Sequence, residues 1–167
     1  MRKYQDRLLP PQVKEAIMLA GAHAATSRNF QAHRFVFIEE PDGKRQLVEQ
    51  CGMQDFVADA GLVVAGCAPR EGLGAEVDVI ISMAQMEAVA VSEGLGTCWL
   101  GMFREKPVAG LIDLPTGWRL VLMMAIGYPE SEHFPRSKLP LEELFFAERL
   151  PASPAKPTCK SKVIVGS

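Results

Sequence analysis

Thr26-Ser-Arg-Asn-Phe-Gln-Ala-His-Arg-Phe35 is the stretch on which the reading of this chain turns. Upstream of it, Pro10-Pro11 leads into Gln12 to His23, where Val13, Ala16, Ile17, Ala20 and Ala24 recur at helical spacing and make one apolar face. A helix tolerates proline in its first turn, because the missing N–H has no partner there in any case. Downstream, Arg34-Phe-Val-Phe-Ile-Glu39 is an apolar run of strand length. The stretch is therefore a helix-to-strand connection, and turning the chain needs only a glycine and a polar residue or two. This one carries the hydroxyls of Thr26 and Ser27, the amides of Asn29 and Gln31, and the cationic or imidazole groups of His33 and Arg34. Thr26, Ser27 and Asn29 could converge on one edge of a planar ligand. The plainer alternative is a surface turn that happens to be polar.

The remaining elements alternate loosely between helix and strand. Pro41-Asp-Gly43 reads as a break, and Lys44 to Gly52 as a short helix carrying Leu47, Val48 and Cys51. Gly61-Leu-Val-Val-Ala-Gly-Cys67 is a continuous apolar run, the pattern of a strand covered on both faces. After a loop from Pro69 to Gly74 comes a helix over about Glu76 to Glu93. On it Val77, Ile80, Ile81, Ala84, Ala88 and Val91 form one stripe, while Met83, Met86, Val89 and Ala90 cover much of the rest. A helix apolar nearly all round is buried on more than one side. In a domain this small that points to a partner subunit, the alternative being a central core helix of a monomer. Gly94-Leu-Gly96 ends the helix, and Thr97-Cys-Trp-Leu-Gly101 follows as a short strand. Arg104 to Ile112 reads as a short helix and Trp118 to Ile126 as the longest apolar strand, stopped by Gly127-Tyr-Pro129. Pro135 to Lys138 is loop, Pro140 to Arg149 holds a last helical turn or two, and the proline-rich tail from Pro151 is extended. The order predicts a layered mixture of α and β, with one domain over residues 1–150 and a tail over 151–167.

The totals exclude several classes. The chain has 167 residues, 48% of them apolar, and a net charge of only -2, so no basic face offers itself to nucleic acid or to an anionic membrane. Leu8-Leu9 is far too short an apolar patch for a signal segment, and no run approaches a membrane span. Cys51, Cys67, Cys98 and Cys159 show no metal or redox spacing, so thiols in a reducing cytoplasm are expected. His23 and His133 have no partners at metal-ligand spacing. No Gly-x-Ser-x-Gly, Walker loop or His-Glu-x-x-His occurs, and Cys98 has no nearby His to activate it. Arg136-Ser-Lys138 places two cations at i and i+2, where an extended segment points them the same way and lets them share one phosphate; a solvated basic pair is the alternative.

Three phrases carry a resemblance. Ser27-x-Asn29-x-Gln31-x-x-x-Phe35 leading into a strand, Glu93-Gly-Leu-Gly-Thr-Cys-Trp-Leu-Gly101 and Arg136-Ser-Lys138 together resemble the FMN-dependent nitroreductase family, with element order matching from Arg2 to about Arg149. The resemblance implies an α+β fold of three α/β/α layers around an antiparallel-rich mixed sheet, and a homodimer with FMN at the interface. It implies Thr26, Ser27, Asn29 and Gln31 on the flavin ring and its polar edge, Trp99, Leu100 and Gly101 beside N5, and Arg136 with Lys138 on the phosphate. Arg2, in Arg2-Lys-Tyr4, matches the last cation of the family's opening phrase and would meet the flavin N1/O2 edge. The Arg-x-Ser that begins that phrase is not in this chain, so either residues precede Met1 or part of the phosphate cradle is missing. Ala32-His33 and Gly61 also depart from the family's usual Pro-containing phrases. The implied activity is reduction of FMN by NADH or NADPH, then reduction of a nitroaromatic, quinone or enone by ping-pong, with no side chain acting as acid or base. The alternative is a degenerate dimer of the same fold that binds FMN weakly or not at all. Relatives of the fold that fragment flavin or remove halogen generally carry lid segments, for which the short Pro69 to Gly74 connection leaves little room.

Overall fold

A computed structural model describes residues 1–131 and 138–151. The chain divides into two compact units, Met1–His133 and Phe134–Ser167. Eight elements make up the first: α1 (Pro11–Ala22), β1 (Arg34–Ile38), α2 (Pro41–Glu49), β2 (Leu62–Pro69), α3 (Ala75–Ser92), β3 (Gly96–Leu100), α4 (Glu105–Leu111) and β4 (Trp118–Gly127). The described part of the second unit contains one helical turn, α5 (Leu141–Leu144).

The strands form one sheet in the order β1-β2-β4-β3, and every described pairing is antiparallel. The alternation of side chains along each strand divides the core in two. Val63, Ala65, Met123 and Ala125 face α2 and α4 together with Leu47, Val57 and Val108. Leu62, Val64, Met124 and Ile126 face α1 and α3 together with Ile17, Val79, Met83 and Met86. These are the three α/β/α layers expected. Because both faces are covered, β2 is buried from Leu62 to Ala68, which is why it reads as an unbroken apolar run. Opposite Gly66 and Cys67 the register jumps from Leu122 to Leu120. The extra residue on β4, Val121, packs on the same face as Leu122, as a β-bulge requires.

One boundary differs from the sequence reading. Pro41-Asp-Gly43 is not a break but the first turn of α2, with Pro41 at its start. Gly43 sits inside the helix because an added Cβ would lie only 3.0 Å from Ile38 Cγ2. Buried Lys44 then donates to the Ala60 carbonyl at 2.5 Å, tying α2 to the approach to β2, and burial holds its pKa below the ordinary lysine value. Gly61 is equally constrained: a Cβ there would run into Leu9 and come within 3.2 Å of the Arg7 carbonyl.

The helix α3 presses on β2 at Gly66, where a Cβ would collide with Val79 and lie 3.0 Å from Met83 Sδ. Gly66→Ala is expected to lower stability by about 1–3 kcal/mol, the usual cost of overpacking, as a reduced urea midpoint with unchanged slope. Gly21→Ala, whose Cβ would meet the flexible end of Met86, should cost clearly less. Equal costs would mean that α3 does not press on the sheet at Gly66.

Candidate functional site

The connection between α1 and β1 makes a tight turn at Ser27–Asn29. Arg28, Asn29 and Gln31 have φ of 50°, 58° and 49°, a left-handed conformation that side chains with a Cβ rarely adopt. Such a cluster persists only where its surroundings over-determine it. Ser27 donates both its main-chain N–H and its hydroxyl to Asp78 Oδ1, at 2.9 and 3.0 Å. Gln31 donates its amide to Asn29 Oδ1 at 2.9 Å. Arg34 closes the turn by donating to the carbonyls of Gln31 and His33 at 2.9 and 2.7 Å. The Ser27 hydroxyl thus faces α3, and Thr26 Oγ1 is buried with no partner among the described residues. Asn29 and Gln31 are exposed. The four residues singled out in this stretch are neighbours, but they do not all present polar groups to one edge.

A second set gathers at the exit of β3. Arg2, Gln54, Phe56 and the segment from Cys98 to Met102 line a cavity of about 270 Å³. The Arg2 guanidinium lies 5.8 Å from the Phe56 ring centroid, within cation–π range. Trp99 packs on the α1/α3 side of the sheet and Leu100 on the α2/α4 side. Exposed Gly101 adds no bulk: an added Cβ would meet nothing nearer than Leu122 Cδ1, at 3.7 Å. Arg2, Trp99, Leu100 and Gly101 are therefore brought together at one cavity. Gln54 and Phe56 went unnoticed in the sequence, since nothing in a short polar segment announces that it will fold against Arg2. Glu87 was also given no role. Its carboxylate accepts from Thr97 Oγ1 at 2.6 Å and from the Trp99 indole at 2.9 Å, fixing β3 to α3.

These two sets do not meet within one chain. The first leads into β1 and the second leaves β3, the opposite edges of the sheet, three strand spacings or roughly 14 Å apart. Of the cation pair, Arg136 lies outside the described residues, and Lys138 is exposed in the second unit. A wider groove of about 720 Å³ lies between α1 and β1, lined by Met18, Phe35, Phe37 and Met86 together with the polar Gln31 and His33. Among the described residues no cluster of three metal-ligating side chains occurs, and no helix is long and apolar enough to cross a membrane. Burial pushes the Cys67 thiol up to about 11 and raises that of Cys51, so neither is a ready nucleophile.

Residues 49–128 match the model of the nitroreductase family. The chain matches that family model over just under half of its length. It is 26% identical over 172 residues to an NADPH-dependent oxidoreductase of Staphylococcus haemolyticus (strain JCSC1435), covering 87% of this chain and 68% of that protein. It is 22% identical over 169 residues to an FMN reductase (NADPH) of Bacillus subtilis (strain 168), with the same two coverages. The solved structure of NfrA2 from B. megaterium superposes with a TM-score of 0.84 at 23% identity, over 91% of this chain and 71% of that one. The match to the nitroreductase family model spans the cavity-lining segments at Gly52–Phe56 and Cys98–Met102.

The end of the turn rests on His33, whose Nε2 lies 3.2 Å from Ser82 Oγ and whose Nδ1 is buried without a partner among the described residues. Burial lowers its pKa below the ordinary histidine value; nearby Asp78 opposes the shift and Arg34 adds to it. Between the depressed folded value and about 6.5 the unfolded chain binds more protons, so stability rises with pH through that window and is lost as pH falls below it. His33→Gln should flatten this dependence. Urea midpoints measured between about pH 5 and 7 that fall equally in both proteins would place the titration elsewhere.

Proposed function

We propose that this chain is an FMN-dependent oxidoreductase that works as a homodimer, with NADH or NADPH as electron donor and a small nitroaromatic, quinone or enone as acceptor. The observation that carries the reading is the cavity at the β3 exit, where one guanidinium, Arg2, stands beside an unobstructed glycine backbone in a chain whose residues 49–128 match the nitroreductase family model. The names of the two curated relatives, an NADPH-dependent oxidoreductase and an FMN reductase (NADPH), support the same donor and cofactor. A cytoplasmic location goes with this reading.

The residues fit FMN in two halves. The cavity, at about 270 Å³, falls below the roughly 300–1,000 Å³ of ordinary small-molecule sites, and the amides of Asn29 and Gln31 stand on the far edge of the sheet. A second copy supplies what one chain lacks. On α3, Val77, Ile80, Ile81 and Val91 remain 55%, 45%, 37% and 56% exposed, and with Ala84 and Ala88 they make a continuous apolar stripe. Pairing of two copies on this stripe would remove it from water and put FMN at the seam, between the turn of one copy and the cavity of the other.

Bound FMN would supply the redox chemistry, taking two electrons from the nicotinamide donor and passing them to the acceptor in ping-pong order. The chain's own groups bind and orient. Arg2 places positive charge at the N1/O2 edge, where negative charge develops. Asn29 and Gln31 donate or accept at the polar edge, with Thr26 and Ser27 shaping the turn that carries them. Trp99, Leu100 and Gly101 would present main chain to the flavin ring. The family resemblance would give the phosphate to Arg136 and Lys138, of which Arg136 lies outside the described residues.

Purified protein mixed with FMN and desalted should retain flavin absorption bands that bleach with NADH or NADPH; a folded dimer without them overturns the reading. Asn29→Ala should weaken FMN retention about tenfold, the loss of one hydrogen bond to a bound group, with the dimer intact. Ile81→Glu should give a folded monomer that no longer retains FMN. A monomer that kept its FMN would refute placement of the cofactor between copies.

A further inference from the structure

Asp78 and Ser82 have no part in that reading, yet they are only 2% and 0% exposed. Spaced i, i+4, they share one side of α3, a side otherwise filled by Ala75, Val79, Met83, Met86 and Ala90. A carboxylate and a hydroxyl in such a face are unfavourable unless hydrogen-bonded. Their partners are the two ends of the connection between α1 and β1. Asp78 Oδ1 accepts from the Ser27 N–H and hydroxyl, and Ser82 Oγ pairs with His33 Nε2. Gly74, with φ of 83°, lies so close beneath Ser27 that a Cβ would run into its hydroxyl. Between these anchors lie Arg28, Asn29 and Gln31, all left-handed.

We propose that Asp78 and Ser82 are positioning residues that clamp the Ser27–His33 segment onto α3 and keep its strained turn in the conformation that presents the Asn29 and Gln31 amides. The clamp orders the turn before any ligand arrives, so the ordering cost is not taken from binding. What the amides then contact rests on the flavin reading above; the clamp itself does not. Without the anchors, the three left-handed residues relax to extended or right-handed backbone, and the 2.9 Å contact between Gln31 and Asn29 is lost with them.

The test compares Asp78→Ala, Asp78→Asn and Ser82→Ala in the full chain by amide hydrogen exchange without flavin and by FMN titration. Asparagine keeps the accepting oxygen and removes only the charge. In Asp78→Ala the amides of Ser27 to Gln31 should exchange at least about tenfold faster while those of β2 and β4 are unchanged. The FMN Kd should rise about tenfold in Asp78→Ala and stay within about twofold in Asp78→Asn. If Asp78→Ala does not fold, Ser82→Ala gives the same two readouts from the His33 end. Unchanged exchange in the turn overturns the clamp. A loosened turn with unchanged FMN affinity overturns the positioning role and leaves the flavin reading standing. A parent chain that binds no FMN, with the turn still loosened in Asp78→Ala, supports the clamp and overturns the flavin reading alone.

Discussion

The crossing of α3 over β2 at Gly66 is the constraint on which the rest of the first unit depends. With no side chain at Gly66, Val79 and Met83 press directly onto the sheet, and that contact sets which residues of α3 face inward. Once Val79 and Met83 are down, helical geometry puts Asp78, Ser82 and Met86 against the sheet or the α1 side and turns Val77, Ile80, Ile81, Ala84 and Ala88 outward. The inward polar residues then find partners in the chain's own irregular segments, and the outward apolar ones stay exposed among the described residues.

The same helix consequently supports both halves of the site. Near its start Asp78 and Ser82 hold the turn that carries Asn29 and Gln31; farther along, Glu87 holds Thr97 and Trp99 at the opposite edge of the sheet. The separation follows from the path of α3, which begins beside β2 and ends in β3. The groups on display are amides, one guanidinium and open main chain, with no metal cluster among the described residues. That set suits binding and orienting a reactive cofactor better than performing proton transfers itself.

Much of this was legible in the sequence because it depends on local pattern. The two-sided burial of β2 was visible in Leu62-Val-Val-Ala, and the double character of α3 in its surplus of apolar residues. The Gly94-to-Gly101 phrase marked the β3 exit, and the excess of polar groups after Thr26 marked the turn. The start of α2 was misread because Pro41-Asp-Gly43 has turn composition; proline at a helix start and glycine against Ile38 are decided by position and by neighbours far along the chain. Gln54, Phe56 and Glu87 were invisible as site residues because their partners, Arg2, Thr97 and Trp99, are assigned only by folding.

By itself the sequence determined the element order, the apolar faces, the family phrases and the residue types of the candidate site, since periodicity and short motifs are encoded within a few residues of one another. Tertiary structure alone decided how those residues are distributed. It turned the Ser27 hydroxyl to Asp78 and the Trp99 indole to Glu87, left Asn29 and Gln31 outward, and set the turn and the β3 cavity on opposite edges of one sheet. The physical reason is that hydrogen-bond partners and strand order depend on contacts between residues dozens of positions apart, such as the 51 that separate Ser27 from Asp78, and no local pattern records them.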